Sequence, residues 1–331
     1  MPYRQIKQAI GYGVFHAIRT LDWLLPVEAL RLALLPWAAL RALLPTHCLQ
    51  RSQNWPGCLG PDPGRGSRPW SQRLRHHLDR VPAFLPDRLG SPRWRERFEI
   101  AGLGPLEAAR TAGQPVVLAF CHFGPIVLIS HCLRARGIPT IPLVAGVARN
   151  RPYIHRLKDR LLPFPEVPGA LYSDQIREVA TLGAGAALLV AVDVRAGRTV
   201  DVPLAGGWQF RLATGAIRMA AQKRALLLPC TVLSLGPWKF RIELGRPVPE
   251  AFLGPVPDVA RAAAHLVAEL LPLQQAHPDH CGQELLESFR RGTSSLQSPE
   301  ALAAAGVSPP DAAPPVSGTR SPNHSTAPTC R

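Results

Sequence analysis

The stretch "AFCHFGPIVLIS" (119–130) sets one imidazole, His122, into an apolar run and follows it with Phe-Gly-Pro. A neutral imidazole at such a place could take the proton from a hydroxyl and turn it into a nucleophile toward a thioester. The competing reading is a hydrogen-bonded core histidine with no chemistry. Gly124 permits a tight turn and close approach of a substrate. A helix beginning near Pro125 would turn amides that favour negative charge toward the same place. A second polar residue closes another apolar run, Asp193 at the end of "LLVAVD" (188–193). Its carboxylate could orient the imidazole, bind substrate, or cap the following turn. Cys121 adjoins His122, but successive strand side chains point to opposite faces, which argues against a Cys–His dyad. Further on, "DVRAGRTVDVPLAGG" (193–207) carries Arg195 and Arg198 among glycines. It reads either as a mobile cationic rim for a phosphate or as a plain surface hairpin. The cluster "HPDHC" (277–281) matches no common zinc spacing and reads as a polar connecting loop, so no metal is expected.

The elements around these residues alternate. "PVVLAFC" (115–121) is a short continuous apolar run, the pattern of a strand buried on both faces. "GPIVLISHCLRARG" (124–137) is helical, with Pro125 at its start and Gly137 at its end. Further strands are expected at 140–146, 186–194, 225–235 and 239–244, and helices at about 152–162, 173–183, 211–224 and 257–275. That order predicts an α/β fold: a mixed, largely parallel sheet flanked by helices, with an N-terminal membrane-associating helical segment. The Pro/Gly-rich stretch 54–70 marks a boundary, and the Arg-rich stretch from Ser71 to Arg110 reads as helical in pieces. The domains expected are 1–50, apolar interface helices; 51–292, the α/β domain; and 293–331, a Pro/Ser/Ala-rich tail whose composition predicts disorder.

The chain has 331 residues, 46% hydrophobic and 18% charged, with a net charge of +15. Lys occurs four times, so Arg supplies nearly all the positive charge. That excess reflects either genome composition or attraction to an anionic partner: a membrane surface, an acidic carrier protein or nucleic acid. With no zinc-finger spacing, RNP-like aromatic set or clean helix-turn-helix pattern, nucleic acid is not expected as a partner. The seven cysteines are scattered with no C-x-x-C pair, which suits reduced thiols in a cytoplasmic setting. The N-terminus lacks the order of a signal peptide. Residues 21–45 are strongly apolar but interrupted by Asp22, Glu28, Arg31, Arg41, Pro26 and Pro36. A spanning helix needs about 20 apolar residues with few charges. The segment therefore reads as helices in the membrane interface, with Trp23 and Trp37 at headgroup depth, or as buried amphipathic helices.

"GQPVVLAFCHFGPIVLISHCLRARGIPTIPLV" (113–144) resembles the segment around the catalytic histidine of the bacterial lipid A biosynthesis (lauroyl/myristoyl) acyltransferases, within the wider lysophospholipid acyltransferase group. The resemblance continues in order through "LKDRLLPFPEVPG", "LGAGAALLVAVDVRAGRTVDVPLAGG" and "TGAIRMAAQKRALLLPCTVL", over roughly residues 110–250. It implies transfer of a fatty acyl group from acyl carrier protein or coenzyme A to a hydroxyl of a membrane glycolipid, at the cytoplasmic face of the bacterial inner membrane. Neither a metal nor a cofactor beyond the thioester co-substrate is implied. His122 would be the general base. Arg160, in "KDRLLPF", matches a downstream motif arginine that could steady a phosphate or an oxyanion; a surface salt bridge is the plain alternative. One departure stands out: the family signature is His-x4-Asp/Glu, whereas the fifth residue after His122 is Val127. Three readings follow: Asp193 supplies the missing carboxylate by another geometry; the chain has lost catalysis and binds lipid or carrier protein; or it acylates a more acidic acceptor, such as a phenol.

Overall fold

A computed structural model of the chain describes residues 2–43, 55–60, 70–144, 160–161, 171–172, 185–194 and 197–292. The expected helix at 173–183, most of the one at 152–162, Arg195 and the tail 293–331 lie outside the described residues. In chain order the elements are α1 (Pro2–Leu24), α2 (Val27–Leu43), α3 (Trp70–Asp79), α4 (Pro92–Arg95), β1 (Phe98–Ala101), α5 (Leu103–Thr111), β2 (Val116–Phe120), α6 (Val127–Ala135), β3 (Thr140–Val144), β4 (Leu171–Tyr172), β5 (Ala187–Ala191), β6 (Thr199–Pro203), β7 (Trp208–Ala213), α7 (Gly215–Lys223), β8 (Leu226–Gly236), β9 (Lys239–Leu244), α8 (Val259–Ala276), α9 (Gln283–Leu286) and β10 (Phe289–Arg291).

The main sheet has the order β1-β9-β8-β2-β5-β3-β4, and a small antiparallel sheet has the order β10-β7-β6. β2 lies between β5 and β8 and is parallel to both, in registers Phe120↔Ala191 and Phe120↔Cys230. All five of its residues are buried, as an apolar strand covered on both faces requires. Its alternation divides the core in two. Val117, Ala119 and Cys121 join one cluster, with residues of α7 and α8 and the small sheet. Val116, Leu118 and Phe120 join the other, with α1, α2, α5 and α6. The fold is thus α/β with a mostly parallel mixed sheet flanked by helices.

Two expectations fail locally. Residues 211–213 belong to β7, not to a helix, because Trp208, Phe210 and Leu212 alternate inward and the helical period starts only after Thr214. The Arg-rich stretch contains β1, parallel to β9, with the Phe98 and Phe240 rings stacked 5.3 Å apart.

Among the described residues no helix is long and apolar enough to cross a membrane. α1 and α2 bury Phe15, Ile18, Leu30, Leu34 and Ala38 inward. Outward they expose Ile10, Tyr12, Trp23, Leu24, Leu32, Leu40 and Leu43. Of the two tryptophans, Trp23 is exposed, whereas Trp37 is half-buried against the core.

Candidate active site

The parallel register of β2 and β5 ends at Phe120↔Ala191, and the Val192 N–H still donates to the Phe120 carbonyl at 2.8 Å. Two residues beyond each strand end stand His122 and Asp193, so adjacent parallel strands deliver them side by side at the carboxyl edge of the sheet, where α/β sites form. The His122 N–H donates to Asp193 Oδ2 at 2.6 Å, and the His122 Nδ1–H donates to Oδ1 at 2.8 Å. One carboxylate thereby fixes both the backbone and the ring of one residue. Because an ionised carboxylate only accepts, Nδ1 carries the ring proton and Nε2 keeps a free lone pair. Asp193 is 1% exposed, whereas the His122 side chain is 28% exposed, and Nε2 has no hydrogen-bond partner among the described residues. Burial of the ring opposes its protonation, but the hydrogen bond and charge of Asp193, with Glu284 behind, outweigh it. The His122 pKa is accordingly raised above its ordinary 6.5. Cys121 is no nucleophile here: burial, and then the charge of Asp193, push its thiol up, so it stays protonated.

A third segment closes on this pair. The turn after α8 donates the Gly282 N–H to the His122 carbonyl at 2.8 Å and accepts the Gly124 N–H at the His280 carbonyl at 2.9 Å, while Phe123 bridges Cys281. The packing demands glycine at both ends. Gly124 has φ +67°, and a Cβ there would lie 2.3 Å from the Val232 carbonyl oxygen; one on Gly282 would lie 2.5 Å from that of His122. Ser288 holds the other side: its Oγ lies 3.1 Å from the Asp193 carbonyl oxygen, and its own carbonyl accepts the Arg211 N–H of β7. Sequence reasoning passed over His280, Gly282 and Ser288. The first two act through their backbone, for which the side chains of "HPDHC" carry no signal. Among the described residues no group of three or more His, Cys, Asp or Glu is placed to hold a metal ion.

No family model matches the chain, and no curated protein matches it. The site is therefore read from its geometry. His122, Gly124 and Asp193 come together. Arg160 lies in a helical turn at 160–161 and is exposed, with no hydrogen bond or ion pair to His122 or Asp193 among the described residues. Arg195 is outside the described residues. Arg198 is exposed, and its carbonyl accepts the N–H of Thr214 at 2.9 Å and its hydroxyl at 3.1 Å, tying the start of β6 to the head of α7. Val127 is the first residue of α6 and is 39% exposed; it has no polar atom to offer the ring.

Proposed function

We propose that this chain is an acyltransferase that moves a fatty acyl group from an acyl carrier protein or coenzyme A thioester to a hydroxyl of a membrane glycolipid or related lipid. The observation that supports it is the Asp193–His122 pair, with the acceptor-ready Nε2 on the open side of a partly exposed ring. His122 Nε2 takes the proton of the acceptor hydroxyl, and the oxygen attacks the thioester carbonyl. The tetrahedral intermediate expels the thiolate, and the imidazolium returns its proton to that sulfur. Asp193 replaces the carboxylate that Val127 cannot supply. It holds the tautomer, and its charge steadies the imidazolium formed during attack. Gly124 keeps the approach clear, and the positive end of α6, a nine-residue helix, faces the edge where negative charge develops. Arg160 is assigned to a phosphate or the oxyanion, and Arg195 and Arg198 to the phosphate of the donor.

The apolar outer face of α1 and α2, with Trp23 and Leu24 beside arginines in a chain of net charge +15, suits peripheral attachment to an anionic membrane at the cytoplasmic face of a bacterial inner membrane. The test is transfer of a labelled acyl group from each donor into bacterial membrane lipids by wild type and His122→Ala. Product that disappears with the substitution supports the reading. Wild-type protein that transfers nothing from either donor, or transfer that survives His122→Ala, refutes it.

A further inference from the structure

A cavity of about 250 Å³ opens far from the dyad, lined by Leu89, Gly90, Arg95, Phe98, Ile100, Cys132, Ala135 and Arg136. α6 begins beside His122 and runs back along the sheet for nine residues, about 1.5 Å each. Cys132, Ala135 and Arg136 at its far end therefore stand at the opposite edge of the sheet. Part of the wall is apolar, with Phe98 and Ile100 from the edge strand β1, Leu89 from the loop before α4 and the buried Cys132 from α6, and the rest is polar. The polar residues are two exposed arginines, Arg95 and Arg136. Arg93, Arg97, Arg211 and Arg246 each have a carboxylate partner. Among the described residues neither Arg95 nor Arg136 has a side-chain hydrogen bond or an acidic partner. Burial raises the Cys132 thiol, and the charge of Arg136, which lines the same cavity, acts against that rise.

We infer that this cavity is a binding site for a compact anionic amphiphile, a medium-chain monocarboxylate, with its carboxylate between Arg95 and Arg136 and its tail against Phe98, Ile100 and Leu89. Two guanidiniums without counter-charges supply the fork geometry that a carboxylate matches. Inorganic phosphate would leave the apolar part of the wall uncovered, and an uncharged chain would leave both guanidiniums unmatched. Ligand pockets usually span about 300–1,000 Å³. This cavity lies just below that range, which selects a medium rather than a long chain. The inference does not depend on acyl transfer.

The experiment is calorimetric titration of the full chain with sodium octanoate below its micelle concentration, with octanol and inorganic phosphate as separate arms. Octanoate is expected to bind saturably with one-to-one stoichiometry, and octanol and phosphate at least about tenfold more weakly, the scale of one lost charge-assisted hydrogen bond. Arg95→Ala and Arg136→Ala should each weaken octanoate by about tenfold and leave octanol unchanged. Arg136 also caps the negative end of α6; if that were its whole role, its substitution would lower the melting temperature and leave octanoate affinity alone. Ala135→Leu, which fills the cavity, should abolish binding, with a melting curve confirming the fold. The inference is overturned by octanoate binding that persists in the double arginine variant, by phosphate or octanol binding as tightly as octanoate, or by no saturable binding to wild type.

Discussion

Asp193 and Asp22 are 1% and 3% exposed, and the groups that hold them differ in kind. Asp22, near the end of α1, accepts from Arg93 at 2.9 Å and from the Trp94 indole N–H at 3.0 Å, with Arg88 3.8 Å away. Arg93 also donates to the Asp22 and Leu25 carbonyls. These donors keep their protons at any ordinary pH, so the network acts as a tie between α1 and α4. Asp193 holds an imidazole, which exchanges its proton near neutrality and turns its second nitrogen outward. A buried carboxylate thus says little about function until its partner is known. What separates a clamp from a site is whether the partner can gain and lose a proton where a substrate can reach it.

Breaking each pair should expose that difference. The largest effect belongs to the dyad: His122→Ala should lower acyl transfer by about 10²–10⁴-fold, the usual worth of a positioned general base. Unfolding of that variant in urea should show a much smaller change, because the ring is partly exposed. Asp22→Ala should do the reverse. It strands Arg93 and the buried Trp94 N–H, and Arg93 can rehydrate in part. A loss of about 3 kcal/mol is therefore expected, the low end for a broken buried ion pair. Turnover per folded molecule should not change.

The dyad should also respond to pH. A raised His122 pKa means that the neutral base is lost below it, so kcat/KM should rise with pH through a value above the ordinary 6.5. Stability runs the other way. The contribution of the pair is complete below the unfolded-state pKa and fades as the pH rises through the higher folded-state value. Asp193→Asn leaves burial of the ring opposed only by the charge of Glu284 and should move the limb in kcat/KM to lower pH. The smallest effect is expected from Val127→Asp. It puts a carboxylate in the first turn of α6 and should stabilise by about 0.3–1 kcal/mol. Turnover should stay within the same order of magnitude, since Nδ1 is already engaged.

Much of this was legible in the residues. The apolar runs "PVVLAF" and "AALLVA" announced two buried strands, and the polar residue just past each end is the pair that meets. Only the register was missing, and parallel neighbours in register make that meeting automatic. Val127 was legible as a departure, and the carboxylate that does meet the ring, Asp193, lies 71 residues after His122. The turn at 277–282 was not legible as part of the site, because its contribution is a carbonyl and an amide brought in by tertiary packing. β1 escaped for a related reason: four residues in an Arg-rich stretch carry too short a pattern, and their partner β9 lies more than a hundred residues on. β7 shows the third kind of miss, a period of two read together with the helix that follows Thr214.

The most direct test of the central claim is the single-turnover rate of acyl transfer by Asp193→Asn against wild type, from both thioester donors and at matched folded fraction. The carboxamide keeps the size of the side chain but loses the charge that fixes the ring. The account predicts a fall of up to about 10⁴-fold, the scale seen when an orienting carboxylate of a histidine base is neutralised elsewhere. Equal rates in the two proteins would contradict it and leave Asp193 as a structural cap.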